Sequence, residues 1–386
     1  MSAAATRPGA HRTAPGTIDS ARDRRLRIAV LAHVRHPVRP PFAGGMEAHT
    51  WHLVRGLAER GHDVTLFASG DSDAGVPLFA TVDAHYERDL PWHLHRGSEV
   101  LDTLQRVAFE RAMRHLASDG FDVIHNNTLH PLPIRMAAEA GLAMLTSLHV
   151  PPFEVLHEAV RGTVSPGLHY TVTSRRQHAV WWGDTGTAAS HVVHNGIDPR
   201  EWPYREYGDG SAIWAGRIDP NKGTHLAAQA ARLAGVPLTI VGPMEDRHYF
   251  DQHVAPLLDE RVRHAGHLRG PELAERFGRA SVLLFTPLWE EPFGLVAIEA
   301  MACGLPVAAI DNGAVREIVG DAGAYAGRDD AASLAGAMDR ALRVPRTRAR
   351  DRVERLFGRE RMLDGYERLY PVCMAGAAGR LVPVPA

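Results

Sequence analysis

The chain has 386 residues, 43 of them basic and 45 acidic, for a formal net charge of −2. That balance argues against a protein that grips nucleic acid through net positive charge. An apolar fraction of 45% with 23% charged residues fits a folded chain rather than a disordered one, and at roughly 150 residues per domain the length predicts two domains or three.

Met1 to Arg25, rich in Ala, Arg, Pro and Thr, has no apolar segment and reads as a disordered extension. Arg27 to Ala32 (RIAVLA) is a short apolar run that predicts a buried parallel strand. Gly44-Gly45 follows a Pro/His/Arg loop, and Met46 to Arg60 reads as a helix closed by Gly61. Asp63 to Ala68 is the next strand, which completes a βαβ unit. Further strand-sized runs lie at Phe121 to His125, Ala143 to Leu148, Tyr170 to Thr173 and His191 to His194. Glu201 to Gly210 is polar and turn-rich and reads as an interdomain linker. The pattern then restarts: strand Ser211 to Gly216, helix Thr224 to Ala234, strand Leu238 to Gly242, then strands at Val262 to His264, Val282 to Thr286 and Val307 to Ile310. Thr347 to Tyr370 is arginine-rich and reads as one helical stretch. Strands alternating with helices predict an α/β fold of two Rossmann-like domains in tandem with a cleft between them. The expected boundaries are 26–205 and 206–360, with 361–386 packing back on the first domain.

No run reaches the roughly 18 apolar residues of a membrane-spanning helix. Cys303 and Cys373 are far apart and imply neither a disulfide framework nor a zinc site, so a reducing, cytoplasmic compartment is expected. The 43 basic residues include a single lysine, Lys222.

Three segments carry chemistry. Glu290 to Pro306 (EEPFGLVAIEAMACGLP) places a turn, Pro292-Phe293-Gly294, before an apolar helix from Leu295 to Cys303. The free N–H groups at a helix start suit a phosphate at Gly294 and Leu295. Glu299 stands on this helix among apolar neighbours, where a carboxylate is costly without a partner. It reads either as an acceptor for two ribose hydroxyls or as half of a structural salt bridge. In Trp214 to Gly223 (WAGRIDPNKG), Arg217 leaves a strand end and Lys222 stands at the next helix start, so a guanidinium fork and an ammonium meet where a diphosphate would bind. Gly44-Gly45 reads as a third anion-type turn or as a plain tight turn. It is not GxGxxG, and no acid ends the second strand, which disfavours a dinucleotide oxidoreductase. Gly266-His267-Leu268 is a turn on which a nucleobase could dock. Among 23 histidines, His125 and His149 are expected to end strands. His49 and His52, three apart on a helix, are expected to pack, as are Trp181 and Trp182. HExxH is absent.

Taken together, Glu291-x7-Glu299 with its PFGL, the GRxxxxKG run from Gly216 to Gly223, Gly44-Gly45-Met46-Glu47, and His194-Asn195-Gly196-Ile197-Asp198 resemble a GT-B glycosyltransferase of family GT4. The resemblance covers about Leu26 to Tyr370. It implies that Arg217 and Lys222 hold the diphosphate of a nucleoside-diphosphate sugar and that Glu299 binds its ribose. It implies that Glu291 and the backbone at Phe293, Gly294 and Leu295 hold the sugar, which His149 contacts from the opposite domain. Gly45 would approach the donor phosphate or the acceptor, and Gly216, His267 and Leu268 complete the donor site. Val150 stands where the family often has Asp. The implied reaction is sugar transfer to an acceptor hydroxyl with retention, with no cofactor and no metal, the cations and helix termini stabilising the leaving diphosphate. The alternatives are a sugar-nucleotide epimerase, a phosphorylase, which would need a pyridoxal-phosphate lysine, and a non-catalytic nucleotide-sugar binder. The dense arginines from Arg340 to Arg361 read as a solvated helix, with contact to an anionic membrane as the alternative.

Overall fold

The computed structural model describes residues 24–268 and 270–378. Most of the expected N-terminal extension and the end of the C-terminal tail lie outside the described residues. The chain forms two parallel sheets with helices on both faces. The first contains β1 (Arg27–Ala32), β2 (Asp63–Ser69), β3 (Leu78–Val82), β4 (Val123–Asn127), β5 (Met144–Leu148), β6 (Leu168–Val172) and β7 (Ser190–Val192), in the order β3-β2-β1-β4-β5-β6-β7. The second contains β8 (Ala212–Ala215), β9 (Leu238–Val241), β10 (Val262–His264), β11 (Val282–Phe285), β12 (Val307–Ala309) and β13 (Gly323–Tyr325), in the order β10-β9-β8-β11-β12-β13. This is the doubly wound α/β architecture expected from the sequence. Central strands such as IAVLA and VLLF are buried throughout, because helices cover both faces of a parallel sheet.

The strand order fixes where a ligand can sit. In each sheet the order reverses between two neighbouring strands, β1 and β4 in the first and β8 and β11 in the second. Loops leaving the carboxyl ends of such strands diverge and open a crevice. The Gly44-Gly45 turn follows β1, the Arg217–Lys222 loop follows β8, and the Thr286–Gly294 loop follows β11.

Several local expectations need correction. Thr347 to Tyr370 is not one helix but two, Arg346–Leu356 and Arg359–Ala378. At the break, Ile197, just before the linker, pairs with Gly358 as an isolated parallel bridge, and both backbone bonds of that bridge take groups a continuous helix would use. His125 lies inside β4, not at its end, because the buried polar pair Asn126-Asn127 continues the strand. The linker is partly packed: Trp202 is buried against Phe277. Strand β3 and the 20-residue helix Glu99–Ser118 were absent from the sequence reading.

The Arg359–Ala378 helix returns to the first sheet. Met362, Leu363, Tyr366, Tyr370 and Cys373 share a core with Ile28, Val30, Leu53 and Leu145. Gly376 on this helix lies so close to the loop before β6 that a Cβ there would overlap the Pro166 carbonyl. Gly to Ala inside a helix ordinarily stabilises by roughly 0.5–1 kcal/mol. Here overpacking reverses the sign, and Gly376→Ala is expected to lose about 1–3 kcal/mol in denaturant unfolding; a gain in stability would refute this close approach.

Candidate active site

The carboxyl ends of the two sheets face each other across a cleft of about 750 Å³. Its lining includes Gly45, His149, Gly216, Arg217, Lys222, His267, Leu268, Glu291, Phe293, Gly294, Leu295 and Glu299. Every residue singled out from the sequence as a site residue therefore borders one cavity, although they come from both halves of the chain.

The loop after β8 is held from below. Trp214 Nε1 donates to Thr286 Oγ1 at 2.9 Å, and that hydroxyl donates to the Lys222 carbonyl at 2.7 Å. The Asp219 carboxylate caps the short Pro220–Lys222 turn by accepting from the Asn221 N–H. Gly223 then takes φ +61° against the Thr286 carbonyl, where only glycine fits. Lys222 Nζ is thus delivered to Glu291 Oε2 at 2.6 Å. The same oxygen accepts from Trp289 Nε1 at 2.8 Å, and the ammonium lies 4.8 Å from the Trp289 ring centroid. Sequence reasoning assigned Lys222 and Glu291 to different parts of a ligand; the structure pairs them with each other.

Arg217 is paired as well. Its Nη1 donates to Glu245 Oε2 at 2.5 Å, while Glu245 Oε1 receives Arg35 Nη2 at 3.3 Å. Arg35 also binds Glu87, with Nε to Oε2 at 2.7 Å. An ionic chain Glu87–Arg35–Glu245–Arg217 therefore crosses from the first domain to the second. No local motif marks Glu245 or Arg35, whose roles come from partners far away in the chain.

Glu299 is the contrast. No hydrogen bond or ion pair to its carboxylate is found among the described residues. Burial pushes its carboxyl up to about 7. The Leu295–Ala302 helix buries Ala297, Ile298, Ala300 and Met301 and turns Leu295, Val296 and Glu299 to the cleft. Gly294 caps this helix at φ +91°. The Phe293 side chain belongs to the core, edge-on to Phe357 at 5.6 Å, which leaves its backbone to the cleft. Across the gap, a Cβ on Gly45 would stand 2.9 Å from Leu295 Cδ1.

The first-domain wall holds His149, one residue beyond β5. It is buried, its ring is 4.4 Å from that of His49, and its Nε2 is 3.3 Å from Asn127 Oδ1. Burial pulls its imidazole down to about 4. His49 packs as expected, between His149 and Tyr366. His52 packs against the Trp51 ring at 5.0 Å and also lines the cleft, with Nε2 3.9 Å from Glu201. Trp181 and Trp182 are buried in the first domain's core. On this side the domains also touch directly: Thr173 Oγ1 and Ser174 Oγ donate to the Pro292 carbonyl at 3.0 and 2.8 Å. Glu317 accepts from the Arg175 and Arg176 N–H groups that open a first-domain helix. Among the described residues no group of three or more His, Cys, Asp or Glu is arranged to hold a metal ion, and no helix is long and apolar enough to cross a membrane.

Glu299 generates a pH test that needs no ligand. A carboxyl raised in the folded state favours folding below its ordinary value of 4.5, and that contribution is lost as pH rises through about 7. Glu299→Gln should therefore gain thermal stability relative to wild type as pH climbs across this window. A constant difference in Tm from pH 4.5 to 7 would remove the claim.

With this geometry in view, comparison with known proteins is direct. The model described as Glycosyltransferase Family 4 matches residues 43–201, and that described as Glycosyl transferases group 1 matches residues 207–354. Glycogen synthase of Mycobacterium tuberculosis is 28% identical over 362 residues, covering 79% of this chain and 84% of that protein. Sucrose-phosphate synthase of Thermosynechococcus elongatus shares the fold at TM-score 0.74 and 21% identity, over 90% of this chain and 99% of that one. Anabaena HepE, solved with UDP-glucose, shares it at TM-score 0.68 and 16% identity, over 89% and 99%. The two matched models account for both domains in turn, and the chain belongs to the GT-B glycosyltransferases of family GT4.

Proposed function

We propose that this glycosyltransferase moves a sugar from a nucleoside diphosphate to an acceptor hydroxyl with retention at the anomeric carbon, in a bacterial glycan, glycolipid or natural-product pathway. The observation that carries the reading is the convergence on one cleft of two cations, Arg217 and Lys222, with a half-buried carboxylate, Glu299, that has no partner among the described residues. Two cations suit a diphosphate and a carboxylate suits a vicinal diol, and all three side chains border the same cavity. In this reading the diphosphate takes Lys222 and Arg217, the ribose hydroxyls donate to Glu299, and the base lies along His267 and Leu268. Lys222 leaves Glu291 for the phosphate, and Glu291, still held by Trp289, accepts from sugar hydroxyls beside the Phe293–Leu295 backbone. His149 meets the sugar from the other domain, and Gly45 admits the phosphate or the acceptor.

The chemistry needs no enzyme nucleophile. The acceptor oxygen attacks the anomeric carbon on the face from which the phosphate oxygen leaves. The carbon–phosphate-oxygen bond breaks, and the departing oxygen takes the acceptor proton. Arg217, Lys222 and the helix start at Leu295 stabilise the charge that develops on the diphosphate, which is the role a divalent metal would otherwise fill. Domain closure excludes water. The HepE neighbour solved with UDP-glucose makes that donor the first probe, with ADP-glucose and GDP-mannose beside it. We assign the reaction to the cytoplasm; contact with a membrane surface remains the second setting to test.

Turnover of a nucleoside-diphosphate sugar should persist in EDTA. Loss of donor binding or turnover on chelation would overturn the metal-free step. Lys222→Ala removes a charge-assisted contact and should weaken nucleoside-diphosphate binding about 10- to 100-fold in calorimetry. Lys222→Arg should be nearly as damaging. An affinity unchanged in both variants would refute the phosphate role.

A further inference from the structure

His149 is held by more than its position at the end of β5. Asn127, at the end of neighbouring β4, donates through Nδ2 to Thr50 Oγ1 at 3.2 Å. That commitment turns its Oδ1 toward His149 Nε2, 3.3 Å away. An amide oxygen has no proton to give, so the contact is attractive only when Nε2 carries the hydrogen. Nδ1 is then the bare nitrogen. It meets no protein partner among the described residues, and His149 lines the cleft. The backbone on either side is fixed by Gln177, whose amide donates to the Leu148 and Val150 carbonyls at 2.9 and 2.7 Å.

We propose that Asn127 is a positioning residue that locks His149 in its Nε2–H tautomer, so that Nδ1 accepts a hydrogen bond from one hydroxyl of the transferred sugar. This rests on the donor reading above. It makes His149 a selector: a sugar that carries the hydroxyl is favoured over one that lacks it or presents an acceptor there. The surroundings keep the ring neutral. The titratable groups facing it are His49 from the Gly45–Glu59 helix, His125 from β4 and His33 from the loop after β1. The nearby carboxylate of Glu47 is already committed to His33 at 3.0 Å.

The experiment has two parts on the full chain. Long-range proton–nitrogen NMR of the unliganded protein at neutral pH, with the His149 ring identified by its loss in His149→Asn, should show a protonated Nε2 and a bare Nδ1. The opposite tautomer overturns the proposal whether or not sugar transfer is confirmed. Kinetics then use whichever of UDP-glucose, ADP-glucose or GDP-mannose turns over. Wild-type kcat/KM should be level from about pH 6 to 8. Asn127→Asp places a carboxylate on Nε2–H, raises the ring's affinity for a second proton and blocks Nδ1, so its kcat/KM should fall on the acid side and recover as pH rises. A profile level in both refutes the relay. Deoxy and deoxyfluoro donors provide the last reading: at one position both should lose about 3- to 10-fold, because fluorine cannot donate. A fluoro donor that keeps what the deoxy donor loses, or a series with no sensitive position, overturns the acceptor role.

Discussion

The ammonium of Lys222 and the carboxylate of Glu291, 2.6 Å apart, set the electrostatic state in which the cleft waits for a ligand. Neither partner is freely solvated, and a buried charge without a partner is strongly destabilising. The pair therefore needs the loop that delivers Lys222 and the loop that delivers Glu291 to be in place together. Trp214, Thr286 and Gly223 supply that constraint. Trp289 adds an N–H to the same carboxylate oxygen and a ring face to the ammonium. Arg217 repeats the principle against Glu245. The cleft is thus poised near neutrality, and an anionic ligand would exchange partners with these carboxylates rather than enter a field of bare cations. This favours discrimination by geometry over indiscriminate attraction of any anion.

The same pairing joins the two domains. Glu245 serves Arg217 with one oxygen and Arg35 of the first domain with the other, so the charge state around Arg217 is linked to contact across the cleft. On the far side Thr173 and Ser174 fasten to the Pro292 carbonyl, directly between Glu291 and the Leu295–Ala302 helix. Glu317 sits on a first-domain helix start and also holds His194 at 2.8 Å. Ile197, three residues beyond His194 in the chain, pairs with Gly358.

Much of the fold was legible because buried parallel strands are short, apolar and punctuated by glycine. The β8–β12 strand sequence and the Leu295–Ala302 helix fell within a residue or so of expectation. His125 was misplaced because Asn126 and Asn127 look like a loop by polarity, whereas both are buried in β4 with partners on adjacent elements. The break at Gly358 was hidden because its cause, a bridge to Ile197, lies about 160 residues away in sequence. The site divides in the same way. Site residues in local motifs could be found, and Gly45, Arg217, Lys222, Glu291 and Glu299 among them border the cleft. Arg35, Glu245 and Asn127 could not, since each matters through partners distant in sequence and sits in no pattern. Glu299 was ambiguous in the sequence for a physical reason: a carboxylate on an apolar helix looks alike whether it is paired or waiting for a ligand.

The lone lysine has a structural counterpart. Elsewhere in this chain arginine makes forked contacts, as Arg176 does with both oxygens of Glu290 at 2.5 and 2.9 Å, or reaches several carbonyls at once, as Arg350 does with Pro199, Trp202 and Ala302. At position 222 one carboxylate oxygen is already shared with the Trp289 indole, and the ring face lies alongside. A point-like ammonium can meet a single oxygen and rest on the ring. A planar fork needs two acceptors in its own plane and more width than that corner provides. An ammonium can also rotate its three donors from carboxylate to phosphate without moving its stem. The corner formed by Glu291 and Trp289 thus selects the one side chain that the rest of the composition avoids.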